Sequence, residues 1–215
     1  MWFENNGFIS ALGKVADLFF LSVLWILFSL PVVTIVPSTI ALYYATVKVV
    51  RRDAGYVFHE FLNGFKQNLK QGIALEVMYF MTGALLHAAR RFAHLAGLTS
   101  TLGKCYYLFF LISVLLICCV SAYLLPVISR FTLSLLSAFR LAVFFSLTNL
   151  LTLVPVLITL AAGIALAWVI PPAILVLPSA WCLLHSYGVE KVLIRYIKEQ
   201  TQDPKQHEGR WYMEE

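Results

Sequence analysis

Residues 141–189, LAVFFSLTNLLTLVPVLITLAAGIALAWVIPPAILVLPSAWCLLHSYGV, run for 49 positions between Arg140 and Glu190 without a formally charged side chain. As one helix the stretch would extend about 74 Å at a rise of 1.5 Å per residue, more than twice the depth of a bilayer's hydrocarbon core. It therefore divides into two crossings. Ile170-Pro171-Pro172 is the turn between them, because proline offers no backbone donor and clashes with the preceding helical turn. A soluble core helix has no use for so long an apolar run, so the chain reads as an integral membrane protein of the all-α class.

The rest of the composition agrees. Of 215 residues, 60% are hydrophobic and 13% charged, with a mean hydropathy of +0.82. Soluble domains carry about 25% charge, so much of this chain's surface has lipid as its solvent. The sequence pI near 9.1 does not point to nucleic acid, because the basic residues gather at the ends of apolar runs, where anionic headgroups are the natural partner. The opening residues, MWFENNGFIS, lack the basic segment and small-residue cleavage site of a secretory signal, so the first apolar stretch is expected to stay in the protein. Cys105, Cys118, Cys119 and Cys182 form no C-x-x-C pair and read as small apolar packing residues.

Working outward, five crossings are expected, over about residues 17–47, 71–90, 105–129, 147–168 and 172–188, in a single domain of residues 1–200. Residues 201–215 read as a mobile cytoplasmic tail. The first crossing is interrupted by Pro31 and Pro37, which predicts a kinked helix or two half-helices. Thr34, Ser38 and Thr39 stand ready to bond the backbone groups the prolines free. Lys and Arg counts place the N-terminus, with Lys14, outside the cell membrane and the C-terminus inside. In that scheme Lys48, Arg51 and Arg52 are inside, and Tyr43 and Tyr44 anchor the inner interface.

Phe58, Phe61, Leu62, Phe65 and Leu69 fall on one helical stripe, with Lys66 and Lys70 on the other face. A basic helix of this kind is expected to lie on the inner membrane surface. Val189, Val192, Leu193, Tyr196 and Ile197 make a second such stripe.

Three places invite a functional reading. Glu76 is the one acidic residue well inside an expected crossing, and intramembrane carboxylates mark ion or substrate paths in many proteins. The Pro31–Thr39 break would expose backbone carbonyls and three hydroxyls at membrane depth, as broken helices do in transporters. Arg90 and Arg91, with His87 and His94, form a basic end that could clamp a carboxylate. There is no Walker loop, no G-x-S-x-G, no H-E-x-x-H and no dinucleotide fingerprint. No catalytic set, cofactor or metal site is expected, and the chain is not expected to be an enzyme.

Four landmarks carry a family resemblance: Leu12-Gly13-Lys14 ahead of an aliphatic run with Trp25, then Leu30-Pro31-Val32-Val33-Thr34, then Ala41-Leu42-Tyr43-Tyr44, then Phe61-x-x-x-Phe65. In these the chain resembles the YesL-like family, bacterial polytopic proteins of unknown function, although Val36-Pro37 stands where the family often has a glycine. Family members are often encoded beside carbohydrate importers. The resemblance therefore implies an accessory or regulatory part in oligosaccharide uptake, with permease or sensor subunits as partners beside the lipid bilayer. It supplies no catalytic residues. The alternative, from the residues themselves, is a small transporter or channel using the Pro31–Thr39 break and Glu76.

Overall fold

The computed structural model describes residues 7–95, 101–131 and 133–200, so the expected tail at 201–215 lies outside the described residues. Every described element is a helix. They are α1 (Gly7–Phe28), α2 (Ile35–Ala45, continued by a π-helical segment Thr46–Arg51), α3 (Val57–Leu95), α4 (Thr101–Arg130), α5 (Leu135–Thr148), α6 (Leu150–Val169) and α7 (Leu177–Gln200). Short 3-10 turns, Val32–Thr34 and Pro171–Leu175, join α1 to α2 and α6 to α7. Five helices are long and apolar enough to cross a membrane: Ser10–Phe28, Val32–Arg51, Val57–Phe92, Thr101–Arg130 and Leu151–Val169. The number is the expected one, but the set differs: the first expected crossing is two of these helices, and the crossing expected at 172–188 is not among them.

The first expected crossing is two helices. α1 ends at Phe28 because Leu30 precedes a proline and is biased away from helical backbone, and Pro31 itself is extended (φ −75°, ψ 118°). The 3-10 turn then reverses the chain. Trp25 of α1 donates to the Thr39 hydroxyl of α2 at 3.1 Å, and Lys14 near the start of α1 meets Asp53 just beyond α2 at 3.0 Å. α1 and α2 are therefore antiparallel. Lys14 lies at the same end of the molecule as Lys48, Arg51 and Arg52, which overturns the expectation that they sit at opposite ends. Pro37 makes no kink, since it is the third residue of α2, where the backbone N–H has no intrahelical partner to lose.

Between α2 and α3 the chain turns through Asp53 (φ 51°) and Gly55 (φ 87°). A side chain at Gly55 would come within 2.6 Å of the Glu60 carboxylate, so glycine is required there for space as well as conformation. α3 then runs for 39 residues, about 58 Å, antiparallel first to α2 and then to α4. Close approach to α2 depends on two glycines eight residues apart. A Cβ on Gly64 would lie 3.0 Å from Tyr44, and one on Gly72 would lie 2.6 Å from the Pro37 ring.

The expected surface helix over Phe58–Leu69 is the first part of α3 and is not a separate element. Its stripe packs on protein: Phe61 is fully buried, with Phe28 against both Phe61 (5.4 Å) and Phe65 (5.0 Å), while Phe58 and Lys66 are exposed. The second stripe is likewise the end of α7, where Val189, Leu193 and Ile197 are buried. In both cases the apolar stripe finds helices to pack on, so it does not need the headgroup layer.

α5 was not expected. Ser134 caps its N-terminus, and Ala138, Ala142 and Phe145 pack it back along α4 on Tyr123 and Val127. Asn149 then separates α5 from α6; its side chain bonds locally, to the Phe145 carbonyl and the Thr148 hydroxyl. The expected fifth crossing begins later than drawn, at Leu177. It carries Ser179, His185, Ser186 and Glu190 buried in the bundle, so α7 is an interior helix at least as much as a lipid-facing one.

Candidate functional site

The helix break and Glu76 meet. The N-terminal turn of α2 has backbone donors with no helical partner, and inside a bilayer no water supplies one. Glu76, from the middle of α3, fills the gap: its Oε2 accepts from the Val36 N–H at 2.7 Å. A carboxylate at that position also complements the positive end of the helix dipole. On the other side of the break the Thr34 hydroxyl bonds the carbonyls of Phe28 (2.6 Å) and Pro31 (2.7 Å) at the C-terminus of α1. Thr39 donates to the Ile35 carbonyl at 2.7 Å while accepting from Trp25. Ser38 is buried and its hydroxyl has no partner.

Thus Pro31, Thr34, Ser38, Thr39 and Glu76 share one region, as the sequence suggested. Arg90 and Arg91 do not join it. They stand exposed near the far end of α3, with His87 and His94, some 14 residues or about 21 Å along the helix from Glu76. Lys70 is only about 9 Å from Glu76 on the same scale. Glu76 therefore lies near the middle of the apolar run, displaced toward Lys70.

The densest polar cluster escaped the sequence reading. Arg130, at the end of α4, donates through Nε (3.1 Å) and Nη2 (2.9 Å) to Oε1 of Glu190 on α7. The Tyr43 hydroxyl of α2 donates to the same oxygen at 3.0 Å. Both charged side chains are 2% exposed, so the pair is fully inside the bundle. Tyr43, expected as an interface anchor, is a core residue. Its only advance signal was Glu190 closing an apolar run, which reads equally well as the edge of a crossing. Around this cluster Lys48 pairs with Glu60 at 2.7 Å, and Arg51 donates to the Ser186 carbonyl at 2.8 Å. Lower in the bundle Ser22 donates to Ser179 (2.8 Å), and Ser179 donates to the Leu18 carbonyl (2.7 Å), joining α1 to α7. Tyr79 of α3 donates to Ser121 of α4 at 2.7 Å.

Glu60, Glu76 and Glu190, the carboxylates drawn into the bundle, hold respectively a lysine, a helix N-terminus and an arginine with a tyrosine. Among the described residues no group of three or more His, Cys, Asp or Glu comes together to hold a metal ion.

No curated protein and no solved structure matches the chain. A family model does, over residues 18–88, under the description "Protein of unknown function, DUF624". The matched segment starts in α1, passes the hairpin turn and the whole of α2, and ends near Arg90, so it contains the break and Glu76 together. Over that segment the chain is similar to the DUF624 family, in which the YesL-like proteins fall, in keeping with the landmarks from Trp25 to Phe65.

Proposed function

We propose that this multi-pass protein is a non-catalytic component of the cell membrane that acts beside another membrane system, as an accessory or regulatory subunit of oligosaccharide uptake. One observation carries the non-catalytic part: each carboxylate inside the bundle is already engaged in holding helices together. Intramembrane ionisable residues that serve ion or proton relays line water-filled paths, whereas these three are committed to contacts between helices. The carbohydrate part rests on the YesL-like resemblance alone.

The basic end faces the cytoplasm in this reading. Among the described residues only Arg90, Arg91 and Lys104 lie at the α3–α4 turn, while Lys14, Lys48, Arg51, Arg52, Lys66, Lys70, Arg140, Lys191 and Arg195 lie at or toward the other end. Positive residues concentrate on the cytoplasmic side of membrane proteins. Because α1 and α2 form a hairpin and α7 returns to the basic end as a crossing additional to the five, the start of α1 and the end of α7 are both cytoplasmic in this reading.

Crosslinking in native membranes followed by purification is the test. Recovery of carbohydrate permease or sensor subunits is expected, and recovery of none overturns the accessory role. The second reading, a small transporter, has in its favour that Glu76 sits on the helix break. It predicts solute flux by the purified protein in liposomes, and flux unchanged in Glu76→Gln with Thr34→Ala would rule that site out.

A further inference from the structure

Lys66 and Lys70 stand one helical turn apart on the outer face of α3, their stems about 6 Å from each other. Both are exposed, and among the described residues neither has a partner. The acids of α3 are Glu60 and Glu76, and both are engaged on its other side, with Lys48 and with the Val36 N–H. The outer face of α3 therefore carries positive charge that its own helix does not compensate.

The same row leads into an apolar groove. Residues four apart form one ridge on a helix, and this ridge runs Lys66, Lys70, Ala74, Met78, Thr82. Met78 and Thr82 are one wall of a cavity of about 300 Å³, whose other walls include Leu116, Val120 and Leu124 of α4 and Phe139 of α5. Met78, Leu116 and Phe139 are exposed, so the cavity opens on the lipid-facing side. Its hydroxyls are engaged within the protein: Thr82 donates to the Met78 carbonyl, Tyr79 to Ser121 and Ser121 to the Ile117 carbonyl, each at 2.7 Å. The groove therefore offers hydrocarbon and asks for no polar partner. Arg140, next to Phe139 on α5, is exposed and has no partner among the described residues, so the groove has an uncompensated cation on its α5 side too.

Cations at one end of a ridge and an apolar slot at the other fit an anionic amphiphile. Lysine ammoniums bind phosphate as point charges, and basic residues at a membrane surface attract anionic headgroups. A choline headgroup would bring its own cation to the lysines, and a free phosphate would leave the groove empty. We propose that this face of α3 holds one anionic phospholipid of the leaflet at the basic end, its phosphate on Lys66 and Lys70 and one acyl chain passing the small Ala74 into the groove between α3, α4 and α5. The site depends neither on an uptake role nor on the Glu76 region.

The test is a lipid titration of the purified full-length protein in detergent, read by native mass spectrometry, with phosphatidylglycerol and phosphatidylcholine of the same acyl chains. The first phosphatidylglycerol is expected to bind at least five-fold tighter than phosphatidylcholine, and excess glycerol 1-phosphate is expected to lower its occupancy less than two-fold. Lys66→Gln with Lys70→Gln should abolish the preference. Arg90→Gln with Arg91→Gln removes the same charge from the other end of α3 and should keep it. Ala74→Phe leaves both lysines but blocks the ridge, and should weaken phosphatidylglycerol binding at least five-fold. The lysine pair is on the surface, so its variant is expected to unfold at the parental temperature. Equal affinity for the two lipids, a preference that survives the lysine changes or is lost equally in the arginine control, or parental binding by Ala74→Phe would overturn the proposal. Displacement by glycerol 1-phosphate would also overturn it, in favour of a free-phosphate site.

Discussion

α2 and α4 are both apolar enough to cross a bilayer, yet they live in different solvents. The most apolar 18 residues of the α2 segment Val32–Arg51 have a mean hydropathy of 1.5 and are 61% buried inside the protein; those of α4 reach 2.8 and are 17% buried. A helix that is apolar on every side is either a lipid-facing span or the centre of a bundle, and hydropathy alone does not separate the two. The neighbours do. α2 is enclosed by α1, α3, α4 and α7, and its Tyr43, Tyr44 and Lys48 all bond to other side chains. The distal halves of α3 and α4 pack mainly on each other, and Phe80, Met81, Leu85, Leu108 and Phe109 are exposed to lipid. One molecule thus has a protein-packed part at its basic end and a lipid-packed part at the other.

The contrast is sharpest where a change harms one part and spares the other. Glu190→Ala would leave Arg130 buried without its carboxylate, a loss of about 3–5 kcal/mol for broken buried pairs. Thermal unfolding in detergent should show a large drop in midpoint or no recoverable folded protein; a near-parental midpoint would mean that water reaches the pair. Phe61→Ala, at a fully buried position, is expected to cost up to about 3–5 kcal/mol. Phe80→Ala, at a side chain 73% exposed, should leave the same unfolding curve close to that of the parent. The two glycines of α3 make a finer comparison. Gly72→Ala forces a methyl against Pro37 and should destabilise by about 1–3 kcal/mol. Gly83→Ala meets nothing and should be neutral or stabilising by up to about 1 kcal/mol, through helix propensity. If the two glycine variants behave alike, the close α2–α3 contact is absent in the membrane.

Much of this was legible in the sequence. The uncharged run after Arg140 announces the membrane, Leu30-Pro31 announces a break, and Glu76 stands out as a lone carboxylate in an apolar run. What the sequence could not convey was direction. Pro31 reads the same whether a helix bends or doubles back, and only the long-range meetings of Lys14 with Asp53 and Trp25 with Thr39 distinguish the two. The stripe through Phe61 and Phe65 was equally visible, but whether its partner is lipid or Phe28 depends on packing between residues more than thirty positions apart. Gly64 and Gly72 carried a readable sign of close helix approach that the charged surroundings obscured.

The hairpin makes a topological claim that single-cysteine labelling settles. In a background without the four native cysteines, Ala11→Cys, Arg195→Cys and Arg91→Cys place exposed thiols near the start of α1, on α7 and near the far end of α3. An impermeant maleimide applied to sealed vesicles of known orientation should label positions 11 and 195 from the same side and position 91 from the opposite one. Labelling of positions 11 and 91 from one side, with 195 from the other, would mean that α1 and α2 cross as a single kinked helix, and the two-part architecture would fall with it.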